Sequence, residues 1–265
     1  AAADGTIRVM NPESMRIFDP DTGGLVFVNP PPAENEFAFL HDACVTESGL
    51  LIIVDNELHR AVAYDPEAAS YTIIGSYGTG AGELWYPTGV FSYGDILHIQ
   101  DSQNRISTWT TDGVYQGEFS FSDTWDSRGL VTSAGELIIP TAPYVRRYDS
   151  SGTLVQEEMP FADTAAQIAF TREHEGVVLA AVVDSGRVSL YSVDPADITA
   201  VERMEVFQET QANIDEALSL DGGYLYMVET SLSGSLVWLG FTAGDPMHRT
   251  SSGFFVRYFI DSDEI

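Results

Sequence analysis

Acidic residues close several of the most hydrophobic runs in this chain: Asp55 ends "LLIIVD", Asp101 ends "ILHIQD" and Asp184 ends "VVLAAVVD". Glu229, in "YLYMVET", follows a similar run. Converging carboxylates of this kind suit a hard cation such as Ca²⁺, which takes six to eight oxygen ligands. The same residues, each in its own loop, could instead accept backbone N–H bonds as Asx-turns do. A second set stands where apolar strands begin: Asp42 with its neighbour His41, then Arg128, Gln167, Asp215 and Arg257. Mixed acid, guanidinium and amide groups suit a polar or zwitterionic ligand, because buried charges persist when they are paired. The other histidines (His59, His98, His174 and His248) show no zinc-like spacing. They read as surface or strand-filling groups. Cys44, three residues from His41, would point to the opposite face of a strand, so the two make a poor catalytic pair.

The glycine cluster "GTGAG" at residues 78–82 invites a phosphate-loop reading. No helix-forming run, Lys-Ser/Thr pair or spaced acidic partner follows it, and phosphate and dinucleotide loops require these. It reads as a turn. Just after it, Trp85 and Tyr86, with Trp125 further on, could form an aromatic shelf for a ligand or simply pack between neighbouring units.

These residues must be positioned by a repeat. The unit "TGVFS–YG–DILHIQD", followed by a short polar loop and "RISTWTTDG", recurs as "ACVTESGLLIIVDNELHRAVAYDP" and "GLVTSAGELIIPTAPYVRRYDSSG". It recurs again as "IAFTREHEGVVLAAVVDSGRVSLYSVDP" and "ALSLDGGYLYMVETSLSGSLVWLGFTAG". The turn glycine falls at Gly49, Gly94, Gly135, Gly176 and Gly223, with gaps of 45, 41, 41 and 47 residues. The strands are short, rich in Val, Ile, Tyr, Phe and Thr, and bounded by Gly, Asp, Asn and Pro. Several short strands in a period of roughly 40–45 residues predict propeller blades. "DPADITAVERMEVF", the only stretch with any helical pattern, reads as a loop leading into an outer strand.

Gly5 lies 44 residues before Gly49, in register with the repeat, yet the N-terminal unit lacks a first strand. "FFVRYFID" near the C-terminus could supply it. The expectation is therefore an all-β, six-bladed β-propeller in one domain spanning residues 1–265, closed by pairing the C-terminal strand with the N-terminal strands. The first blade would combine residues 1–28 with 254–265. The others would fall at about 36–78, 79–121, 122–161, 162–207 and 208–253. In such a ring the inner-strand starts crowd one end of the channel with the loops joining second and third strands, which would bring the two residue sets together.

The blade "GTGAGELWYPTGVFSYGDILHIQDSQNRISTWTTDGVYQGEF" resembles an NHL repeat, with Pro87, Gly89, Gly94, Asp101, Asn104 and Arg105 at its pattern positions. Six-bladed relatives of that kind include calcium-dependent lactonases and a zinc-dependent amidating lyase. The resemblance therefore implies a metal-dependent enzyme as the alternative to a binding module. Carry-over of the lactonase ligands would need a Glu at an inner-strand start with Asn and Asp ligands; here those positions hold Asp42, Pro87, Arg128 and Gln167.

Composition narrows the function classes. Forty acidic residues stand against 12 basic ones, all arginine, for a net charge of −28. Nucleic-acid binding needs a basic surface to displace counterions, so that class is excluded. The apolar runs fall short of the ~20 residues a membrane helix needs, so no insertion by this chain is expected. A single cysteine precludes an internal disulfide. The acidic balance and the small-residue start "AAADG", which suits a cleaved leader, point to a periplasmic or extracellular setting in a bacterium. No residue set demands chemistry. The reading is a non-catalytic propeller that docks a protein partner or small polar ligand on its loop face, without a required cofactor, though Ca²⁺ would suit its carboxylates. Self-repulsion at this charge is screened by salt. The melting temperature should rise by several degrees between about 10 mM and 500 mM NaCl, which calorimetry would check.

Overall fold

The computed structural model describes residues 7–11, 14–18, 25–28, 37–65, 68, 70–120, 129–141, 143–161, 165–170, 173, 176, 178–184, 187–203, 224–233, 236–245 and 250–259. Among them there are strands and turns and no helix. The first sheet, β1-β2-β3, is Ile7–Asn11, Ser14–Phe18 and Leu25–Val28. Two four-stranded sheets follow: β4 to β7 (Leu40–Val45, Leu51–Asp55, Arg60–Asp65, Ser70–Ile74) and β8 to β11 (Pro87–Tyr93, Ile96–Asp101, Arg105–Thr110, Tyr115–Ser120). The next two are β12 to β15 (Leu130–Val131, Leu137–Thr141, Tyr144–Tyr148, Leu154–Glu158) and β16 to β19 (Ala165–Phe170, Val178–Asp184, Arg187–Asp194, Asp197–Arg203). The last, β20-β21-β22, is Tyr224–Ser233, Leu236–Asp245 and Thr250–Phe259. Each sheet runs up and down in chain order. The chain divides into two compact units, Ala1–Val131 and Thr132–Ile265.

The burial pattern follows strand position. Several inner strands are buried along nearly their whole length, as in "LIIVD" of β5, "RAVAY" of β6 and "LIIPT" of β13. That is the pattern of a strand covered on both sides. The fourth strands are open to solvent, with β15 mostly exposed and β11 alternating. In the first unit one cluster (Ile52, Val54, Ala61, Ile74, Leu84, Val90, Leu97, Ile99 and Trp109) joins the β4–β7 sheet to the β8–β11 sheet. Burial of this kind contributes about 25 cal/mol per Å² of apolar surface and holds neighbouring blades face to face.

The repeat glycines play the expected role. Gly49, Gly94, Gly135 and Gly176 all have positive φ, from 56° to 87°. A Cβ at any of them would meet nothing within 4 Å. Conformation, not space, demands glycine there. Gly223 lies outside the described residues.

The end of the chain differs from the expectation. "FFVRYF" belongs to β22, which pairs with β21 along its whole length, from Leu236↔Phe259 to Asp245↔Thr250. It forms the third strand of the last sheet, not the missing first strand of the first. Only residues 246–249 separate β21 from β22, and closing so short a hairpin costs far less chain entropy than a pairing across the whole sequence. The expected first blade, 1–28 plus 254–265, is corrected accordingly.

Candidate functional site

The two expected residue sets fare differently. Asp55 is fully buried and accepts N–H bonds from Ala38 (3.0 Å), Phe39 (3.1 Å) and Leu58 (3.2 Å), with the Arg60 guanidinium 4.0 Å away. Asp101 is placed identically in the next sheet. It accepts from the Trp85 N–H (3.3 Å), the Gln103 N–H (3.0 Å) and both Nε (3.0 Å) and Nη2 (2.7 Å) of Arg105. Each carboxylate thus ties its own loop to the segment entering its own innermost strand. Asp184 occupies the same register, opposite Arg187 at the end of β17.

Glu229 does not join them. It sits inside β20 opposite Gly240, because that hairpin runs on to Ser233. Arg257 also leaves the set: it pairs with Trp238 on the third strand of its sheet, not at an inner-strand start. Arg128 and Asp215 lie outside the described residues.

Arg105 explains the glycine cluster. Its Nη1 donates to the carbonyls of Thr79 (3.0 Å) and Gly80 (3.2 Å) and to Glu118 (3.1 Å), and its Nη2 to the carbonyl of Glu83 (2.8 Å). The Gly80 N–H is taken by the Glu83 carboxylate at 2.7 Å. Carbonyls converging on a cation are the opposite polarity to a phosphate cradle, which presents N–H groups.

At the inner-strand starts a β-bulge recurs. Leu40 pairs with Asp55 and Asp42 with Val54, which leaves His41 as the extra residue. Pro87↔Asp101 and Gly89↔Gln100 leave Thr88, and Ala165↔Asp184 and Gln167↔Val183 leave Ala166. Gly89, not Pro87, is therefore the counterpart of Asp42 and Gln167. Bulges re-aim side chains and favour the neighbourhood of active sites. Asp42 is 2% exposed, and its two oxygens accept the N–H groups of Ala43 (2.8 Å) and, from the next sheet, Val90 (2.9 Å). His41 is half-buried; its Nδ1 is shut off from water and lacks a hydrogen-bond partner.

Does this chain hold the metal its resemblance implies? The oxygens of Asp55 and Asp101 are occupied by backbone N–H groups and guanidinium. A Cβ built on Gly89 would lie 3.7 Å from both Asp42 Oδ2 and Gln100 Oε1. Those two oxygens are far fewer than the six to eight that Ca²⁺ takes. Among the described residues no group of three or more His, Cys, Asp or Glu could hold a metal ion. The described residues do not fit the calcium or zinc site.

A constellation the sequence reading passed over lies where the β5–β6 loop meets the segment before β8. His59, Tyr77, Trp85 and Tyr86 pack ring against ring, with centroids 4.6 Å (His59–Tyr77), 4.2 Å (His59–Tyr86), 5.9 Å (His59–Trp85) and 5.1 Å (Tyr77–Trp85) apart. Tyr86 N–H donates to His59 Nδ1 at 2.9 Å. Burial pushes the His59 pKa down, with Asp55 pulling weakly the other way, so the ring is neutral near pH 7 and carries its proton on Nε2. His59 (φ 54°) and Tyr86 (φ 47°) both sit in the left-handed region, where bulky residues are rare. Such strain is found at functional sites. Trp85 and Tyr86 were in view as a shelf; His59 and Tyr77 were not. The available signal was Asn104, which fills the loop position of His59 in the next sheet, also at positive φ (56°).

Sheets of this up-and-down, four-stranded kind, repeated along the chain, define an all-β propeller. No protein-family model matches the sequence, and no curated protein matches it either. Among solved structures the chain is similar to a virginiamycin B lyase from Staphylococcus aureus, at 12% identity and TM-score 0.61, over 98% of this chain and 83% of that one. It is similar to a streptogramin B lyase at 12% identity and TM-score 0.59, over 100% and 82%. A gluconolactonase from Xanthomonas campestris matches at 14% identity and TM-score 0.53, over 75% and 68%. At these identities the likeness shows the fold alone.

Proposed function

We propose that this propeller is an enzyme of the lactonase or lyase kind, acting on a small polar ligand at the starts of its innermost strands, with His41 handling the proton. The names of the similar structures, lyase and gluconolactonase, favour this over a non-catalytic scaffold. The observation that carries it is His41 itself: an imidazole on a β-bulge, next in sequence to the buried Asp42, with a dehydrated nitrogen that has no hydrogen-bond partner among the described residues. A polar atom left so costs about 1–3 kcal/mol, which a bound ligand would recover. Imidazole is also the side chain best matched to proton transfer near neutral pH. Within its own sheet Gln167 holds the register that Asp42 holds in the β4–β7 sheet. A six-bladed ring of the NHL type, working outside the bacterial cytoplasm, is part of this reading. The glycine spacing and the paired Asp–Arg loops support the first, and the acidic composition supports the second.

The test is turnover of gluconolactone, simple γ- and δ-lactones and virginiamycin B. At least one should be consumed, and His41→Ala should lower kcat by about 10²-fold or more without lowering the melting temperature. Unchanged turnover in His41→Ala, or no turnover of any compound, would overturn the reading. The latter outcome favours the scaffold, for which Leu154, Val155 and Met159, 46–50% exposed on and beside β15, offer a docking edge.

A further inference from the structure

We infer that the His59–Tyr77–Trp85–Tyr86 cluster is a second ligand site, a shelf for a neutral sugar ring. It uses none of the residues assigned to the inner-strand site.

The turn does not require these residues. The β9–β10 loop solves the same geometric problem with Asn104, a residue that tolerates the left-handed region. The β5–β6 loop places a histidine there instead, and its ring is met by Tyr86, another bulky residue at positive φ. Two strained residues in mutual contact are unexplained by folding alone.

The segment is also held rigidly from both sides. Asp101 takes the Trp85 N–H, Ser102 N–H reaches the Trp85 and Tyr86 carbonyls (both 3.1 Å), and Asn56 Nδ2 donates to the Pro87 carbonyl at 3.0 Å. Rigid aromatic platforms of this kind bind at low entropic cost.

The chemistry of the shelf selects its ligand. Tyr77 is 61% exposed and Tyr86 40%, which leaves aromatic surface accessible for the C–H groups of a sugar. Around them lies a fringe of unused polar positions. His59 is 9% exposed and, with Nδ1 taken by the Tyr86 N–H, presents Nε2–H as its remaining donor. Ser102 Oγ donates to the Tyr86 carbonyl (2.8 Å) and keeps its lone pairs, and Asn56 keeps its Oδ1 as an acceptor. Donors and acceptors bordering a stacked ring match the hydroxyls of a pyranose.

Other classes fit less well. The guanidiniums of these two loops, Arg60 and Arg105, are buried against Asp55 and Asp101, and the chain carries a net charge of −28, so an anionic ligand is disfavoured. A quaternary ammonium needs rings spaced around it, whereas these rings touch one another at 4.2–5.9 Å.

The test titrates the full chain with cellohexaose, maltohexaose and chitohexaose, read by tryptophan fluorescence and calorimetry, with tetramethylammonium and decaproline alongside. One hexaose should bind. Tyr77→Ala, which removes an exposed ring, and His59→Asn, which installs the residue of the sister loop, should each weaken it by about tenfold or more. His41→Ala should leave it unchanged, and circular dichroism should match wild type in all three. Absence of hexaose binding to ~10 mM, binding indifferent to both variants, or preferential binding of tetramethylammonium or decaproline would each overturn the inference.

Discussion

Asp101→Ala should destabilise the protein by about 3–5 kcal/mol, a fall in melting temperature of roughly 10 °C. The reason is what remains behind. Arg105, 5% exposed, would keep its contacts to the carbonyls of Thr79, Gly80 and Glu83 and its 3.1 Å pair with Glu118, but lose the carboxylate that takes two of its donors. Removing one partner of a buried pair leaves a charge in a medium that solvates it poorly. The Trp85 and Gln103 N–H groups would lose their acceptor as well. Replacing both members, as Asp101→Leu with Arg105→Met, should recover much of the loss, because neither charge is then stranded. At the sister site Asp55→Ala should do less through charge, since Arg60 stands 4.0 Å away, and act mainly by orphaning three N–H donors. A double-mutant cycle by chemical denaturation measures the coupling. A midpoint shift under about 3 °C for Asp101→Ala would refute the account.

What the sequence disclosed and what it hid divide along a physical line. The period was legible because turn chemistry is local: a left-handed turn wants Gly49, Gly94, Gly135 and Gly176, whatever lies around it. The structural reading of Asp55 and Asp101 was legible for the same reason, their partners being mostly within their own or the adjoining loop. The end of the chain was not, because "FFVRYF" is an equally good strand for either of two neighbours and only the shortness of the 246–249 link decides between them. The bulges were invisible too. One extra residue shifts every later position, which is how Pro87 stood in for Gly89. His59 reads in the sequence as a surface or strand-filling group because its distinction lies in a backbone angle and in Tyr86, 27 residues away, meeting it. Composition cannot show that.

Acid should also act on a half-buried histidine. His98, on β9, lies between its cross-strand neighbours Phe91 and Thr108, its ring stacked on Phe91 at a centroid distance of 5.8 Å and 10° between planes. Among the described residues its only hydrogen-bond contact is a long one, 3.4 Å from Nδ1 to Thr108 Oγ1. Burial pushes its pKa down from 6.5 to about 4. Below pH 6.5 the unfolded chain therefore takes up a proton that the folded chain refuses. Stability is full above that pH and falls as acid is added, until the folded form also protonates near pH 4. A gap of about 2.5 pH units corresponds to about 3 kcal/mol. The carboxylates oppose this trend, since protonating part of a −28 chain relieves its self-repulsion, so wild type alone would understate the effect. Asp149 and Asp197, held below 3.8 chiefly by the hydroxyls of Ser151 and Thr199, titrate beneath the window. His98→Gln removes the titrating ring and nothing else that changes between pH 4 and 6.5. Unfolding free energies of wild type and His98→Gln should therefore diverge as the pH falls through that range, with wild type losing more. Parallel curves would show that the His98 ring is hydrated in the folded protein, and would overturn this account.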